Sequence, residues 1–156
     1  MEPLFEHGRI NGLTLKNKFV RSATWEGMAA DDGSVTAPLI DLYSTLADGG
    51  VGLIITGHSF VHPSGKHSPR QLGSYSDDLI PGLEELTRAV HDQNGHIFCQ
   101  LWHCGRMSHP DFHSVQLPVA PSAINPKDKS FTQEGFKDTA TPRALTVSEI
   151  HDITKD

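Results

Sequence analysis

Two segments of the chain place apolar residues at the three- and four-residue spacing of an amphipathic helix. These residues are Leu39, Leu42, Tyr43, Leu46 and Ala47 in the first segment and Leu79, Leu83, Leu86 and Val90 in the second. The first helix is predicted to begin at Thr36, a residue type that caps helices, and to end at Gly49-Gly50. Asp77 or Asp78 can cap the second helix, which Asn94-Gly95 ends. Each helix therefore has one apolar face available for packing.

Strand signals lie before and after each of these helices. Residues 51–56 form a continuous apolar run, which is typical of a strand buried in a parallel sheet. Residues 97–101 are predicted to form the next strand and residues 18–22 an earlier one. Before them, residues 9–16 indicate a β-hairpin, because Asn11-Gly12 tolerates the positive φ of a tight turn.

This alternation of strands and helices predicts βα units on a parallel sheet. Two fold classes fit the order: a doubly wound sheet, or the first part of a (β/α)-barrel. No G-x-G-x-x-G motif follows the first strand and no P-loop motif is present, so the sequence does not support a Rossmann-type site. Residues 107–143 contain five prolines and show little regular structure. The capping box Thr146-Val147-Ser148-Glu149 then predicts a further helix.

The composition of the chain limits the kinds of molecule that it is expected to bind. The 156 residues suit one domain, spanning 1–156, and the net charge of -6 argues against a nucleic-acid or anionic membrane partner. No apolar run is long enough to span a bilayer, and no signal-peptide pattern opens the chain. With only two cysteines, Cys99 and Cys104, a disulfide scaffold is not indicated, and we expect a cytoplasmic protein.

The most informative segment is 97–106, where an apolar strand ends in polar and aromatic side chains. Gln100, Trp102, His103 and Arg106 are all residue types that contact ligands. The active sites of parallel α/β folds lie at the carboxyl ends of the strands. We therefore expect ligand chemistry here, with His103 and Arg106 mainly holding the loop. The structural alternatives are a Gln100 with satisfied hydrogen bonds and a Trp102 in the core.

Six segments in a fixed order carry a family signature: 15–24, 49–58, 73–83, 100–106, 120–122 and 141–146. They resemble the Old Yellow Enzyme family of flavin-dependent ene-reductases, especially its NADH:flavin oxidoreductase branch, which is related to the 2-enoate reductases. The resemblance runs from about residue 4 to the end of the chain. It implies a (β/α)8 barrel with FMN over the carboxyl mouth of the strands and the hairpin at the opposite end.

The resemblance also implies a set of site residues. The implied cofactor-binding residues are Ser22, Ala23, Thr24, Trp25, His58 and Gln100, and the implied substrate-binding residue is Trp102. Gln100 matches a glutamine that hydrogen-bonds the pyrimidine edge of the flavin, where an amide offers both a donor and an acceptor. His58 takes a strand-end position where relatives have a small residue.

Four positions depart from the family pattern. Many relatives have Pro-Met where this chain has Ala23-Thr24, and some have a Tyr where it has Gly27. Trp25 stands where Thr or Cys is common, a position thought to tune the potential of the flavin. These differences are expected to affect the redox potential of the flavin and the fit of the substrate.

The implied activity is hydride transfer from NAD(P)H, through FMN, to a small-molecule activated alkene or enone. A (β/α)8 barrel needs roughly 250 residues. The pattern here supplies about three βα units after the hairpin, so we expect an N-terminal, truncated portion of a barrel that is incomplete as an enzyme. No catalytic residue is assigned, because the family's substrate-binding His-x-x-His or His-x-x-Asn pair and its proton-donor Tyr come later. The alternatives are a non-catalytic remnant, a split subunit with a complementary chain, and a homo-oligomer that pairs open edges.

A metal site is a further alternative raised by the sequence. Cys99, His103, Cys104, His109 and His113 lie within one short span. Their spacing fits no zinc pattern, and Cys99 is expected on the strand face opposite Gln100. The sequence therefore predicts no metal.

Overall fold

The computed structural model describes residues 3–112 and 117–155. The strands are β1 Gly8–Ile10, β2 Leu13–Leu15, β3 Val20–Arg21, β4 Leu53–Phe60, β5 Ile97–Trp102, β6 Val119–Ala120, β7 Lys129–Thr132, β8 Gly135–Asp138 and β9 Arg143–Ala144. The helices are α1 Ala37–Asp48, α2 Ile80–His91 and α3 Val147–Ile153. Short 3-10 turns occupy Pro3–Phe5, Pro63–Gly65, Asp77–Leu79, Gly105–Met107 and Pro110–Phe112. None of the described helices has the length and apolar character needed to cross a membrane.

The hydrophobic core lies between helices α1 and α2 and a parallel sheet of strand order β3-β4-β5. Leu39 and Tyr43 of α1, Leu86 and Val90 of α2, and Ile54 of β4 are all buried in it. Parallel strands require a crossover that returns the chain to the same end of the sheet, and the helices supply it. The order β3-α1-β4-α2-β5 confirms the predicted βα units.

Both core helices begin where the sequence places them, with one correction. α1 follows Thr36, which has the extended backbone of a cap (φ -117°, ψ 157°). A 3-10 turn precedes α2, and it is the Ser76 hydroxyl that accepts a hydrogen bond from the Asp78 N–H. The predicted aspartate cap was therefore wrong. Asp77 and Asp78 follow Ser76 directly, in the first turn, where carboxylates favour the positive end of the helical segment.

The N-terminal hairpin is confirmed and closes the amino end of the sheet. Asn11 has the positive φ (50°) that its turn requires. The Lys16 ammonium group donates to the carbonyl of Ala47 at 3.1 Å, and the Asn17 amide donates to the carbonyl of Gly50 at 2.7 Å. Ala47 lies in the last turn of α1, and Gly50 lies between α1 and β4. The carboxyl ends of the strands are therefore at the opposite end from the hairpin.

The segment 107–143 holds more structure than its proline pattern predicts. β7 and β8 form an antiparallel hairpin whose turn is Gln133-Glu134. The Thr132 hydroxyl donates to the carbonyl of Gly135 at 2.9 Å and accepts from the Glu134 N–H at 3.2 Å. This turn lacks an Asn-Gly signal, so local sequence gives no warning of it.

The capping box before α3 is confirmed. The Thr146 hydroxyl accepts from the N–H of Glu149, and the Glu149 carboxylate accepts from the N–H of Thr146 at 2.7 Å. Arg143 of β9 pairs with the same carboxylate at 2.7 Å, and it lowers the pKa of Glu149 to about 2. The chain before α3 is thereby tied to the first turn of that helix.

Candidate functional site

The carboxyl ends of β3, β4 and β5 meet at one edge of the sheet, because the three strands are parallel. Residues 22–25 follow β3, His58 lies in the second half of β4, and Gln100 and Trp102 lie at the end of β5. We call this edge the mouth. The structure brings the site residues predicted on three separate strands to the mouth.

A β-bulge in β4 places His58 beside Gln100. Ile55 pairs with Phe98 and His58 pairs with Gln100, so β4 has one more residue than β5 between the two pairs. The buried Thr56 hydroxyl accepts a hydrogen bond from the Gln100 N–H at 3.1 Å, beside the bulge. Bulges re-aim side chains. Here the bulge turns His58 to the same face as Gln100.

Replacing Thr56 by valine is expected to lower the free energy of unfolding by about 1–2 kcal/mol, because the Gln100 N–H loses its hydrogen bond to the hydroxyl. Urea unfolding followed by circular dichroism measures the change. Thr56→Ser keeps the hydroxyl and is expected to cost less. Equal losses in the two variants would contradict a role for this hydrogen bond.

His58 lies among other rings at the mouth. Its ring centroid is 5.4 Å from that of Trp102 and 6.0 Å from that of His67. Its Nε2 is buried without a hydrogen-bond partner in the described chain. Burial lowers the pKa of His58, and the neighbouring His67 lowers it further. His58 is therefore a neutral imidazole at neutral pH, able to donate or accept one hydrogen bond.

A buried amide organises the loop that carries His67. The Gln71 side chain is fully buried. Its oxygen accepts from the N–H groups of His67 at 2.8 Å and Ser68 at 3.1 Å, and its nitrogen donates to the carbonyl of His58 at 3.1 Å. No sequence signal marks this role, since a single glutamine after a proline-containing loop fits no motif. Gln71 fixes the loop against β4 at the level of His58.

Glu26 is a second polar residue that the sequence analysis missed, and its side chain is 8% exposed. Its carboxylate accepts from the Tyr43 hydroxyl of α1 and, at 3.3 Å, from the N–H of Gly57 in β4. Arg21 lies 3.6 Å from the same carboxylate oxygen. Burial raises the pKa of Tyr43, and the hydrogen bond to Glu26 raises it further, so the phenol stays protonated and donates. Glu26 thus ties the segment after β3 to α1 and β4.

The segment after β3 runs along the mouth through its backbone. The carbonyl of Ser22 accepts from the Thr24 hydroxyl at 3.1 Å and from the Arg21 guanidinium at 2.8 Å. Ser22 and Thr24 are exposed and Ala23 is half-buried. A Cβ added at Gly57 would lie 2.8 Å from the carbonyl oxygen of Thr24, so this segment passes directly over β4.

The polar atom of Trp25 is already used within the chain. Its Nε1–H donates to the carbonyl of Pro69 at 3.2 Å. Its ring packs edge-on against Phe131 of β7, with centroids 5.6 Å apart. The residue remains 36% exposed. Any contact of Trp25 with a ligand would therefore use the face of the indole and not its N–H.

His103 holds the loop after β5, in agreement with the structural role expected for it. Its Nδ1 accepts from the N–H of Gly105 at 3.1 Å, and its Nε2 lies 3.1 Å from the Ser64 hydroxyl. Ser64 in turn lies 2.7 Å from Nδ1 of His62. Since Nδ1 of His103 is an acceptor, its Nε2 carries the proton and donates to Ser64. A neutral His103 therefore links the loops after β4 and β5.

Stability is expected to fall as the pH drops below about 6.5, the ordinary pKa of histidine. Burial lowers the pKa values of His58, His67 and His103 in the folded protein, so the unfolded chain binds more protons in this range. The stabilisation is complete above about 6.5 and is lost as the pH falls towards the lowered values. Urea midpoints at pH 7.5 and 5.5 measure this difference, and His58→Asn should reduce it. A midpoint that does not fall on acidification would contradict the prediction.

The described residues contain no group of three or more His, Cys, Asp or Glu side chains placed to hold a metal ion. Cys99 is exposed and Cys104 is buried, and both are free thiols. His113, which the metal alternative included, lies outside the described residues.

The polar groups of the mouth fit the edge of a planar heterocycle. The carboxamide of Gln100 makes no hydrogen bond within the part of the chain that the structure describes, and it offers both a donor and an acceptor. The unpartnered Nε2 of His58 lies on the neighbouring strand, in register with Gln100. Buried polar groups are normally satisfied, so the buried and unpartnered Nε2 of His58 indicates a ligand. The pyrimidine edge of a flavin has the matching chemistry.

Comparisons with known proteins point to one family. The model of the NADH:flavin oxidoreductase / NADH oxidase family matches residues 3–156. The chain is 40% identical to an NADH oxidase of Thermoanaerobacter brockii over 151 residues, which is 96% of this chain and 22% of that protein. An old yellow enzyme homologue from Zymomonas mobilis superposes with a TM-score of 0.88 at 33% identity, over 97% of this chain and 42% of that one. A morphinone reductase variant in complex with tetrahydroNAD superposes with a TM-score of 0.88 at 29% identity, over 99% of this chain and 44% of that one.

The chain therefore spans less than half the length of these proteins. The structural neighbours are (β/α)8 barrels, and β3-α1-β4-α2-β5 has the fold of the N-terminal portion of such a barrel. This confirms the barrel alternative over the doubly wound sheet.

Proposed function

The chain belongs to the NADH:flavin oxidoreductase / NADH oxidase family, whose members are FMN-dependent NAD(P)H oxidoreductases, and from that premise we propose that its mouth is part of an FMN site. The proposed domain spans residues 1–156 and contributes the first three strands of the flavin cradle. The register that sets His58 beside Gln100 carries the proposal, because it presents two unused polar groups at one edge.

Each residue has a distinct proposed role. The Gln100 carboxamide hydrogen-bonds the pyrimidine edge of the flavin. The backbone of Ser22, Ala23 and Thr24 supports the ring system, and His58 binds its rim. Trp25 contributes apolar surface only, since its N–H donates to Pro69.

When bound, FMN would supply the redox chemistry, accepting hydride from NAD(P)H and delivering it to the β-carbon of an activated alkene or enone. The contribution of this chain is to bind and orient. Trp102 is 39% exposed and lies beside His58 on the same face as Gln100. We assign to it one wall of the substrate pocket. No proton donor is assigned among the described residues.

Flavin retention tests the proposal. The chain is mixed with FMN, desalted, and its visible spectrum is recorded, and fluorescence titration gives the dissociation constant. Gln100→Leu is expected to weaken FMN binding about tenfold or more, because a buried polar contact to the ligand is lost. Gln93→Leu, at an exposed position after α2, is the matched control and should change nothing. Equal affinities in the two variants, or no retained flavin in the parent chain, would contradict the proposed site.

Reduction of the retained flavin by NADH under anaerobic conditions, and its reoxidation by 2-cyclohexenone, tests the reaction class. Bleaching of the flavin bands by NADH followed by their recovery with the enone is the expected result. Recovery with oxygen alone would favour an NADH oxidase activity over ene reduction.

We also propose that a further strand pairs with β5, from a complementary chain or a second copy. Phe98 and Leu101 of β5 are 46% and 65% exposed, and within the described residues β5 pairs only with β4. An exposed edge of this kind is a template for pairing. Sedimentation of the chain over a range of concentrations distinguishes self-association from a stable monomer.

The proposed location is the cytoplasm. The supporting observation is that Cys99 and Cys104 are free thiols, as expected in a reducing compartment. Fractionation of cells that carry a tagged chain tests this location.

A further inference from the structure

Trp25 joins three segments that come from different parts of the chain. It follows the strand-end residues 22–24, its N–H donates to Pro69 in the loop after β4, and its ring packs against Phe131 of β7. Gly27 has φ +65° and folds the chain back over the indole, where an added Cβ would lie 3.1 Å from Cζ2. Trp25 is thus held on two sides, by Gly27 of its own segment and by Phe131 of the hairpin.

The β7–β8 hairpin is also attached on the β5 side of the mouth. The Ser130 hydroxyl, fully buried, donates to the carbonyl of Met107 at 2.6 Å. Lys137 of β8 pairs with the carboxylate of Asp111 at 2.7 Å. Met107 and Asp111 both lie in the chain that leaves β5. The hairpin therefore reaches from the segment after β3 to the segment after β5, across the carboxyl end of the sheet.

We propose that Trp25 is a positioning residue that joins the segment after β3, the loop 66–71 and the β7–β8 hairpin into one unit over the mouth. The functional part of this inference rests on the proposed flavin site. Through Phe131 the unit sets the position of the hairpin, and through Pro69 it sets the loop that places His67 beside His58.

The size of the expected effect follows from the aromatic contact. An edge-to-face pair favours the closed arrangement by roughly two- to tenfold beyond the burial of its area. Removing the Phe131 ring should therefore raise the opening of the hairpin by that factor. If Trp25 joins the segments, removal of the Phe131 ring should also make the loop 66–71 open more often, although Phe131 makes no bond to that loop.

Hydrogen exchange on the full chain measures both regions without any ligand. Phe131→Leu removes the ring and keeps apolar volume, and Phe131→Tyr restores a ring. Trp25→Phe keeps a ring for Phe131 but loses the N–H that bonds Pro69. Phe19→Leu is the matched control, because Phe19 makes an edge-on pair with Phe5 of similar geometry (5.2 Å) at the opposite end of the sheet.

In Phe131→Leu, amide exchange is expected to rise roughly two- to tenfold in β7–β8 and to rise also in 66–71. Phe131→Tyr should restore both regions, and Phe19→Leu should alter neither. Trp25→Phe should loosen 66–71 more than the hairpin. Acrylamide quenching of Trp25, measured in a Trp102→Phe background that leaves one tryptophan, should increase in Phe131→Leu. Faster exchange confined to the hairpin, or equal effects of Phe19→Leu, would overturn the proposal.

The FMN off-rate separates this inference from the proposed function. Where the parent chain retains FMN, Phe131→Leu should release it several-fold faster than Phe19→Leu, and Phe131→Tyr should restore the slow rate. The two variants could release FMN at equal rates while Phe131→Leu still speeds exchange in both β7–β8 and 66–71. Trp25 would then join the segments, and its role at the flavin site would be overturned. An absence of retained FMN would count against the flavin site, while the exchange data would still decide the coupling.

Discussion

Replacing Gln71 by leucine is expected to lower the free energy of unfolding by about 3–5 kcal/mol, the largest effect expected of any single substitution considered. Leucine fills a similar volume but leaves three backbone groups without a partner: the N–H groups of His67 and Ser68 and the carbonyl of His58. Each unsatisfied buried group costs about 1–3 kcal/mol. Urea unfolding followed by circular dichroism measures the loss.

Gln93→Leu provides the control for Gln71→Leu. Gln93 is exposed, so the same chemical change there is expected to stay within about 0.5 kcal/mol of the parent. A loss below about 1 kcal/mol for Gln71→Leu would show that water or a shifted loop satisfies the three groups. The position of His67 beside His58 would then need another cause.

Replacing Glu26 by alanine is the second large effect, with an expected loss of about 2–4 kcal/mol. The Tyr43 hydroxyl loses its acceptor inside the core, and Arg21 loses the carboxylate 3.6 Å away. The Gly57 N–H keeps one partner, because the Tyr43 oxygen also accepts from it at 3.0 Å. Thermal or urea unfolding measures the loss.

Two variants divide the contribution of Glu26 into parts. Glu26→Gln keeps an oxygen acceptor for Tyr43 and removes the charge, so it should lose less than Glu26→Ala. Tyr43→Phe removes the hydroxyl that links α1 to the carboxylate. Non-additive losses in the Glu26→Ala, Tyr43→Phe double variant are expected, since the two residues share one hydrogen bond. Strict additivity would contradict a direct coupling.

The elements that the sequence predicted well are those with a strong local period. Apolar spacing located α1 and α2 within a few residues, and Asn11-Gly12 located the first hairpin. The β7–β8 hairpin was not predicted, because its turn, Gln133-Glu134, lacks the usual residues and its attachment depends on tertiary contacts. A local sequence pattern reflects only interactions between residues that are close in the chain. This hairpin is stabilised mainly by contacts with the distant residues Trp25, Met107 and Asp111.

The candidate site also has residues that the sequence predicted and residues that it did not. The resemblance pointed to Gln100 and His58, which the structure places together at the mouth, but it could not show what holds them there. Gln71 and Glu26 are single polar residues in loops, and burial gives them their role. Burial depends on the whole fold, so no spacing rule in the sequence reveals it. The resemblance likewise could not show that the N–H of Trp25 is bonded to Pro69.

The bulge in β4 reverses the alternation of side chains between the two faces of the strand. Before it, Ile54 and its partner Ile97 face the helices. His58 comes four residues after Ile54 and should share its face in a regular strand, but it pairs with Gln100, three residues after Ile97, and so faces the other way. Even positions therefore face the helices before the bulge, and odd positions such as the buried Ser59 face them after it. A substitution map that assumed a single alternation along β4 would assign half of the strand to the wrong side.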